Sequence, residues 1–149
     1  MNVPNTPPRP EYWVLSLSGG KDSTALGLEW LKRHQKDPVT YPLHEAVYCD
    51  TGMEFPAMME HINRLERIFT DAGIKFTRLK GKYTFEFLMF EYQPHKRNPE
   101  LQHLQGKSWP TSRVRWCTGE LKQKVVSKYF KQLRSQKLSL IHISEPTRP

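Results

Sequence analysis

Cysteine is almost missing from this chain of 149 residues: Cys49 and Cys117 are the only two. Two cysteines cannot staple a small secreted scaffold, so both are expected to be reduced thiols in a cytoplasmic setting. They are also too few for a four-cysteine zinc or iron–sulfur site within this sequence. Long apolar runs are missing too. No stretch approaches the roughly 20 residues needed to span a bilayer, so no membrane partner is expected. The opening MNVPNTPPRPEY has no apolar signal-peptide core, and residues 1–10 read as a flexible lead-in. There are no internal repeats. Acidic residues are in short supply, 15 against 23 lysines and arginines, for a formal charge of +8. That imbalance favours an anionic partner, a nucleotide or a nucleic acid, although a basic solvated surface has the same signature. A hydrophobic fraction of 37% and a charged fraction of 26% fit a globular protein. The length allows one domain with a real core, or part of a larger one.

What is present is an alternation of short apolar runs and amphipathic stretches. Residues 11–17 read as a buried strand. A helix follows from Asp22 to about Gln35, with Ala25, Leu26, Leu28 and Leu31 as its apolar side. HEAVYCD, residues 44–50, is a second strand. Pro56 suits a first helical turn, and Met58, Met59, Ile62, Leu65, Ile68 and Phe69 recur every three or four residues up to Gly73. That methionine-rich stripe is read as core rather than as a cofactor box. Residues 74–79 give a third strand. Strand–helix–strand–helix–strand predicts an α/β fold, a Rossmann-like doubly wound parallel sheet with right-handed crossovers. TFEFLMFEY reads as a short helix against the sheet. Residues 93–113 read as a long surface loop or lid, and residues from Glu120 to about Leu133 as a basic helix.

The first strand runs into SLSGGKDSTAL. Gly19 and Gly20 can take positive φ and leave no side chain between backbone and ligand. Successive N–H groups in such a turn form an anion nest, and the positive end of the next helix points at the same spot. Ser18, Ser23 and Thr24 add hydroxyls and Lys21 a mobile cation. This is a phosphate cradle at the carboxyl end of a parallel strand, where open α/β sheets bind ligands. It is neither G-x-x-x-x-G-K-[ST] nor G-x-G-x-x-G: the glycines are adjacent, and Asp22 stands where the first of these motifs has no acid. A carboxylate beside phosphates calls for a cation between them, so Asp22 suggests Mg²⁺. A plain turn with Asp22 and Ser23 capping the helix is the alternative.

The block SGGKDS resembles the S-G-G-x-D-S signature of the PP-loop, or adenine-nucleotide α-hydrolase-like, superfamily. In that superfamily the signature holds the phosphates of ATP or of a sulfonucleotide. YCDTGMEFPAMMEHI, from Tyr48 to Ile62, is similar to the D-T-G-x-x-F-P block of the phosphoadenosine phosphosulfate (PAPS) reductase family. There Asp50, Thr51 and Gly52 would meet the nucleoside, although Asp50 and Thr51 are also ordinary turn formers. SWPTSRVRWCTGELK, from Ser108, resembles that family's R-x-C-x-x-x-L-K segment. Arg113, Arg115 and Lys122 would then grip a phosphate or sulfate, or else simply begin a solvated basic helix. Trp109 and Trp116 suit either base stacking or core.

The resemblance spans residues 12–124. It implies an enzyme that binds PAPS, adenosine phosphosulfate or ATP, with Mg²⁺ near Asp22, and that does reductase or sulfur-transfer chemistry with a thioredoxin-like reductant. The family's nucleophilic thiolate is carried near the C-terminus, beyond Lys137 here, so Cys117 is the candidate substitute nucleophile, and Cys49 reads as buried and inert. Two other readings stay open. One is an ATP pyrophosphatase or sulfurtransferase acting on nucleic acid, the other a nucleotide-binding module without catalysis.

The final residues LSLIHISEPTRP, 138–149, resemble the translation of a transposon-type sequencing adapter. That likeness implies a PP-loop domain over 11–137 whose natural sequence runs on past Lys137, and it removes His142 as a candidate ligand. Losing Arg148 and Glu145 together leaves the net charge unchanged. LSLIHI has strand-like apolar content and is expected to settle into the slot of the next core strand whatever its origin.

Overall fold

The computed structural model describes residues 11–94, 97–107, 109–136 and 139–143. The lead-in at 1–10 and the end of the tail therefore lie outside the described residues. Four parallel strands form one sheet in the order β3-β2-β1-β4. They are β1 (Glu11–Leu17), β2 (Glu45–Asp50), β3 (Lys75–Lys80) and β4 (Ser139–Ile143). Helix α1 (Lys21–Lys36) joins β1 to β2, and α2 (Pro56–Asp71) joins β2 to β3. Helix α3 (Lys124–Ser135) precedes β4. Among the described residues no helix is long and apolar enough to cross a membrane.

The sheet is covered on both faces, which is why its strands read as continuous apolar runs rather than alternating ones. Side chains of successive residues point to opposite faces. Leu15, Leu17 and Ala46 meet Leu31 of α1 and Phe69 of α2 on one side. Val14, Val47, Cys49 and Leu79 meet Phe130 and Leu133 of α3 on the other. This is the α/β, Rossmann-like doubly wound arrangement that the order of elements predicts. The chain goes outward from β1 to β3 and then returns to the far side of β1. In sheets of this kind ligands are taken at the carboxyl ends of the strands, which is where β1 leads into SGGKDS.

The adapter-like tail supplies β4, which runs parallel to β1 with Glu11 opposite Ser139 and Leu15 opposite Ile143. An edge beside β1 is a template for any extended apolar segment, and Ser139–Ile143 occupies it.

Three features differ from the sequence pattern. Helix α1 buries Ser23, Gly27 and Leu31, whereas Ala25 and Leu28 are exposed. The apolar face is rotated because Gly27 lets the helix sit against the strand. A Cβ there would lie 2.8 Å from Leu17 Cδ2 and 3.2 Å from Leu15 Cδ2. Gly27→Val should therefore overpack this contact and cost about 1–3 kcal/mol, read as a lower urea midpoint with unchanged slope. An unaltered midpoint would mean that the helix–strand approach is slack. In α2, Ile68 faces solvent while Ile62, Leu65 and Phe69 are buried. Finally, Phe87–Glu91 and Cys117–Gln123 form π-helical rather than α-helical turns. They pack together through Phe85, Leu88, Trp116 and Leu121, a small second core beyond the sheet.

Candidate functional site

The turn between β1 and α1 is held by a closed ring of hydrogen bonds. The Gly20 N–H donates to Ser18 Oγ at 3.3 Å, and the Ser18 and Ser23 hydroxyls share a bond of 2.8 Å. The Ser23 hydroxyl donates to the Gly20 carbonyl at 3.2 Å, and the Ser18 N–H donates to Ser23 Oγ at 3.2 Å. Ser23 is 2% exposed, so this ring is internal to the turn. Helix α1 starts at Lys21 with Gly20 as its N-cap and no side-chain cap. Asp22 therefore sits in the first turn and not at the capping position. Lys21 and Asp22 both face solvent at the mouth of the turn.

The two glycines have different jobs. Gly19 has φ +78°, a left-handed backbone that glycine alone adopts at no cost. A Cβ on Gly19 would stand 2.8 Å from Met58 Sδ and 3.0 Å from Ile62 Cδ1. Gly20, with φ −72° and ψ 166°, is ordinary extended backbone. A Cβ there would meet only Ser18 Oγ, at 3.4 Å, and would otherwise enter the open mouth of the turn.

The walls of this turn come from α2. Met58 and Ile62 crowd Gly19, and Thr24 Oγ1 shares a hydrogen bond of 3.0 Å with His61 Nε2. The first two sequence blocks, SGGKDS and the start of α2 after DTGMEFP, are therefore in direct contact. His61 and Thr24 were missed as a pair by sequence reasoning. The available signal was the helical spacing that puts Met58, His61, Ile62 and Leu65 on one side of α2.

At the end of β2, Asp50 Oδ1 accepts a 2.8 Å bond from the Gly52 N–H, a tight turn that holds Gly52 at φ +78°. Asp50 Oδ2 lies 4.0 Å from Lys80 Nζ. The Thr51 hydroxyl donates to Glu54, and the Thr51 carbonyl accepts from the Phe85 N–H. Asp50 thus builds the turn and keeps its second oxygen toward Lys80. The turn-forming reading of Asp50 is thus met by its bond to Gly52.

The third block splits. Lys122 is exposed on the second π-helical turn, which docks on β2 through a 3.0 Å bond from the Cys49 thiol to the Leu121 carbonyl. Burial pushes the Cys49 thiol up to about 11 despite the nearby Lys122 charge. Cys49 is therefore buried, as its place in a strand suggests, in surroundings that favour the thiol over the thiolate. Cys117 is half-buried at the start of the same π-helical turn, against the aromatic cluster. Arg113 and Arg115 are exposed, and no hydrogen bond or ion pair among the described residues joins either to the β1–α1 turn. The tryptophans separate clearly. Trp116 is 9% exposed and 5.1 Å from the Phe85 ring, a core residue, while Trp109 is 62% exposed.

Magnesium needs one or two carboxylates and fills its remaining positions with phosphate oxygens and water. Asp22 at the mouth of the turn fits that requirement. No cluster of three or more potential metal ligands occurs among the described residues.

No family model matches the chain. It is 28% identical over 119 residues to an uncharacterized protein of Methanocaldococcus jannaschii. The match takes in 80% of this chain but 20% of that protein's length. No solved structure matches.

Proposed function

We propose that the chain binds the phosphates of an adenine nucleotide at the turn between β1 and α1, as a PP-loop protein of the PAPS reductase type. The observation that carries this reading is the turn itself. A left-handed Gly19, an unobstructed Gly20 and the start of α1 converge at the carboxyl end of β1. The hydroxyl ring of Ser18 and Ser23 shapes the backbone, and the first-turn amides with Lys21 hold the anion. Bound Mg²⁺ would neutralise phosphate charge next to Asp22. Asp50 with Thr51 and Gly52 lies at the end of the adjacent strand, on the nucleoside side. Arg113, Arg115 and Lys122 supply cations for a distal phosphate or sulfate.

Cys117 is the half-exposed thiol of this arrangement. In the reductase reading its thiolate attacks the sulfonyl sulfur of PAPS. A sulfur–sulfur bond forms, the sulfur–oxygen bond to phosphate breaks, and adenosine 3′,5′-bisphosphate leaves. A dithiol reductant of the thioredoxin class then releases sulfite and restores the thiol.

Titration calorimetry with ATP and with PAPS, each with Mg²⁺, tests the binding reading. Heat of binding from at least one is expected, and none from either would overturn it. Product analysis tests the chemistry. Sulfite with adenosine 3′,5′-bisphosphate is the expected pair; AMP with pyrophosphate from ATP would assign the chain to the pyrophosphatase class instead.

A further inference from the structure

Away from the nucleotide turn, α3 carries a strongly one-sided charge. From Leu121 to Gln136 the chain has Lys122, Lys124, Lys128, Lys131 and Arg134 and no acidic residue. All five cations are exposed, while Phe130 and Leu133 take the opposite side of the helix into the core. Lys124 is held by Glu120, with both carboxylate oxygens 2.8 Å from its ammonium. Lys128 and Lys131 have no counterpart of this kind among the described residues. They line, with Gly119, Gln123, Lys124 and Ser127, an open trough of about 380 Å³.

Like charges three and four residues apart repel along a helix, and an anion over this face relieves that repulsion. The helical rise sets Lys124, Lys128 and Lys131 along about 10 Å of one face. That matches a row of phosphates better than a single ion. The side chains are lysines, which hold phosphate as point charges, and Ser127 and Gln123 add neutral donors beside them. The exposed side of α3 carries no aromatic ring, because Tyr129 bonds inward to Glu45 and Phe130 is buried. Unstacked bases would find no platform there. A helix presenting cations outward suits the wide major groove and flanking strands of B-form DNA, whereas the deep, narrow groove of duplex RNA excludes it.

We infer that the Lys124–Lys131 face of α3 is a docking surface for the backbone of duplex DNA, separate from the nucleotide turn and independent of its assignment. The contacts are to phosphates and carry no base readout, so two unrelated sequences should bind alike.

Fluorescence anisotropy with short duplexes, over about 50–200 mM salt, tests this with Lys128→Gln/Lys131→Gln. The double variant should bind about tenfold more weakly, and its log–log salt slope should shrink by about 2. Lys32→Gln/Lys36→Gln is the charge-matched control, since both lysines are exposed on α1 across the sheet. It should bind within about twofold of the unaltered chain, with circular dichroism and nucleotide binding unchanged for both variants. Equal losses in the two variants would overturn the assignment by reducing it to net charge. An unaltered affinity in the α3 variant, tighter binding of duplex RNA, or binding to anionic vesicles but not to DNA would each overturn it as well.

Discussion

Gly20→Val is expected to abolish nucleotide binding while changing folding stability by no more than about 1 kcal/mol. Valine adopts the extended backbone of Gly20 without strain, and the new Cβ meets only the Ser18 hydroxyl at 3.4 Å. Its branched methyl groups would stand in the mouth of the turn, where phosphate must approach the backbone. Gly19→Val should do the reverse. It forces a β-branched residue into φ +78° and drives atoms into Met58 and Ile62. The backbone contributes about 1–2 kcal/mol and the overlap about 1–3, so a loss of about 2–5 kcal/mol is expected. Calorimetry beside urea unfolding separates the two glycines. Nucleotide binding by Gly20→Val equal to that of the parent would remove the turn as the phosphate site. A Gly19→Val protein of parental stability would remove the account of the α2 wall.

The second large effect is expected far from that turn. Glu45 is fully buried at the start of β2, yet its hydrogen-bond donors and Lys75 favour the charged carboxylate. It accepts hydrogen bonds from Tyr12 on β1 at 3.1 Å, from Thr77 on β3 and from Tyr129 on α3, and its carboxylate is 3.1 Å from Lys75 Nζ. One carboxylate thus ties three strands and a helix together. Burial pushes its carboxyl up, but the bonds from Thr77, Tyr129 and Lys75 outweigh burial and hold it below the usual 4.5. The Tyr12 hydroxyl is correspondingly raised to about 12, first by burial and then by the Glu45 charge.

Glu45→Ala would strand the Tyr12, Thr77 and Tyr129 hydroxyls and should cost about 2–4 kcal/mol. Lys75 softens the loss because it is 57% exposed and returns to water. The pH dependence has a definite sign. The unfolded carboxyl takes up its proton at higher pH than the folded one, so the contribution is complete above about pH 4.5 and fades as pH falls through the lower folded value. Urea unfolding between pH 7 and pH 3 should show a steep acid decline in the parent. The decline should be shallower in Glu45→Gln, which keeps the shape without the charge. Matching slopes, or a Glu45→Ala cost below about 0.5 kcal/mol, would show that the network is dispensable.

The elements and their order were legible because apolar runs and helical spacing follow from backbone geometry. Residues 11–17, the helix after SGGKDS and the helix from Pro56 all lie within a residue or two of where the pattern puts them. The turn was legible for a similar reason: two adjacent glycines between a strand and a helix permit a tight turn, with positive φ, that other residues disfavour. What each glycine does was not, since φ +78° at Gly19 and the Met58 and Ile62 wall depend on how α2 lies against the turn.

Other features show the same division. Sequence alone determined an α/β chain with a parallel sheet, a glycine turn at the end of its first strand and a basic last helix. Those features are written in local spacing, chain direction and charge. Tertiary packing alone decided that Gly27 rather than Leu28 faces the sheet, that Trp116 is core while Trp109 is exposed, and that Glu45 is a buried hub. Each of these depends on atoms many residues away, such as Leu17, Phe85 and Tyr129. Local pattern carries no record of such neighbours. Their identity is fixed only when strands pair and helices close over the sheet.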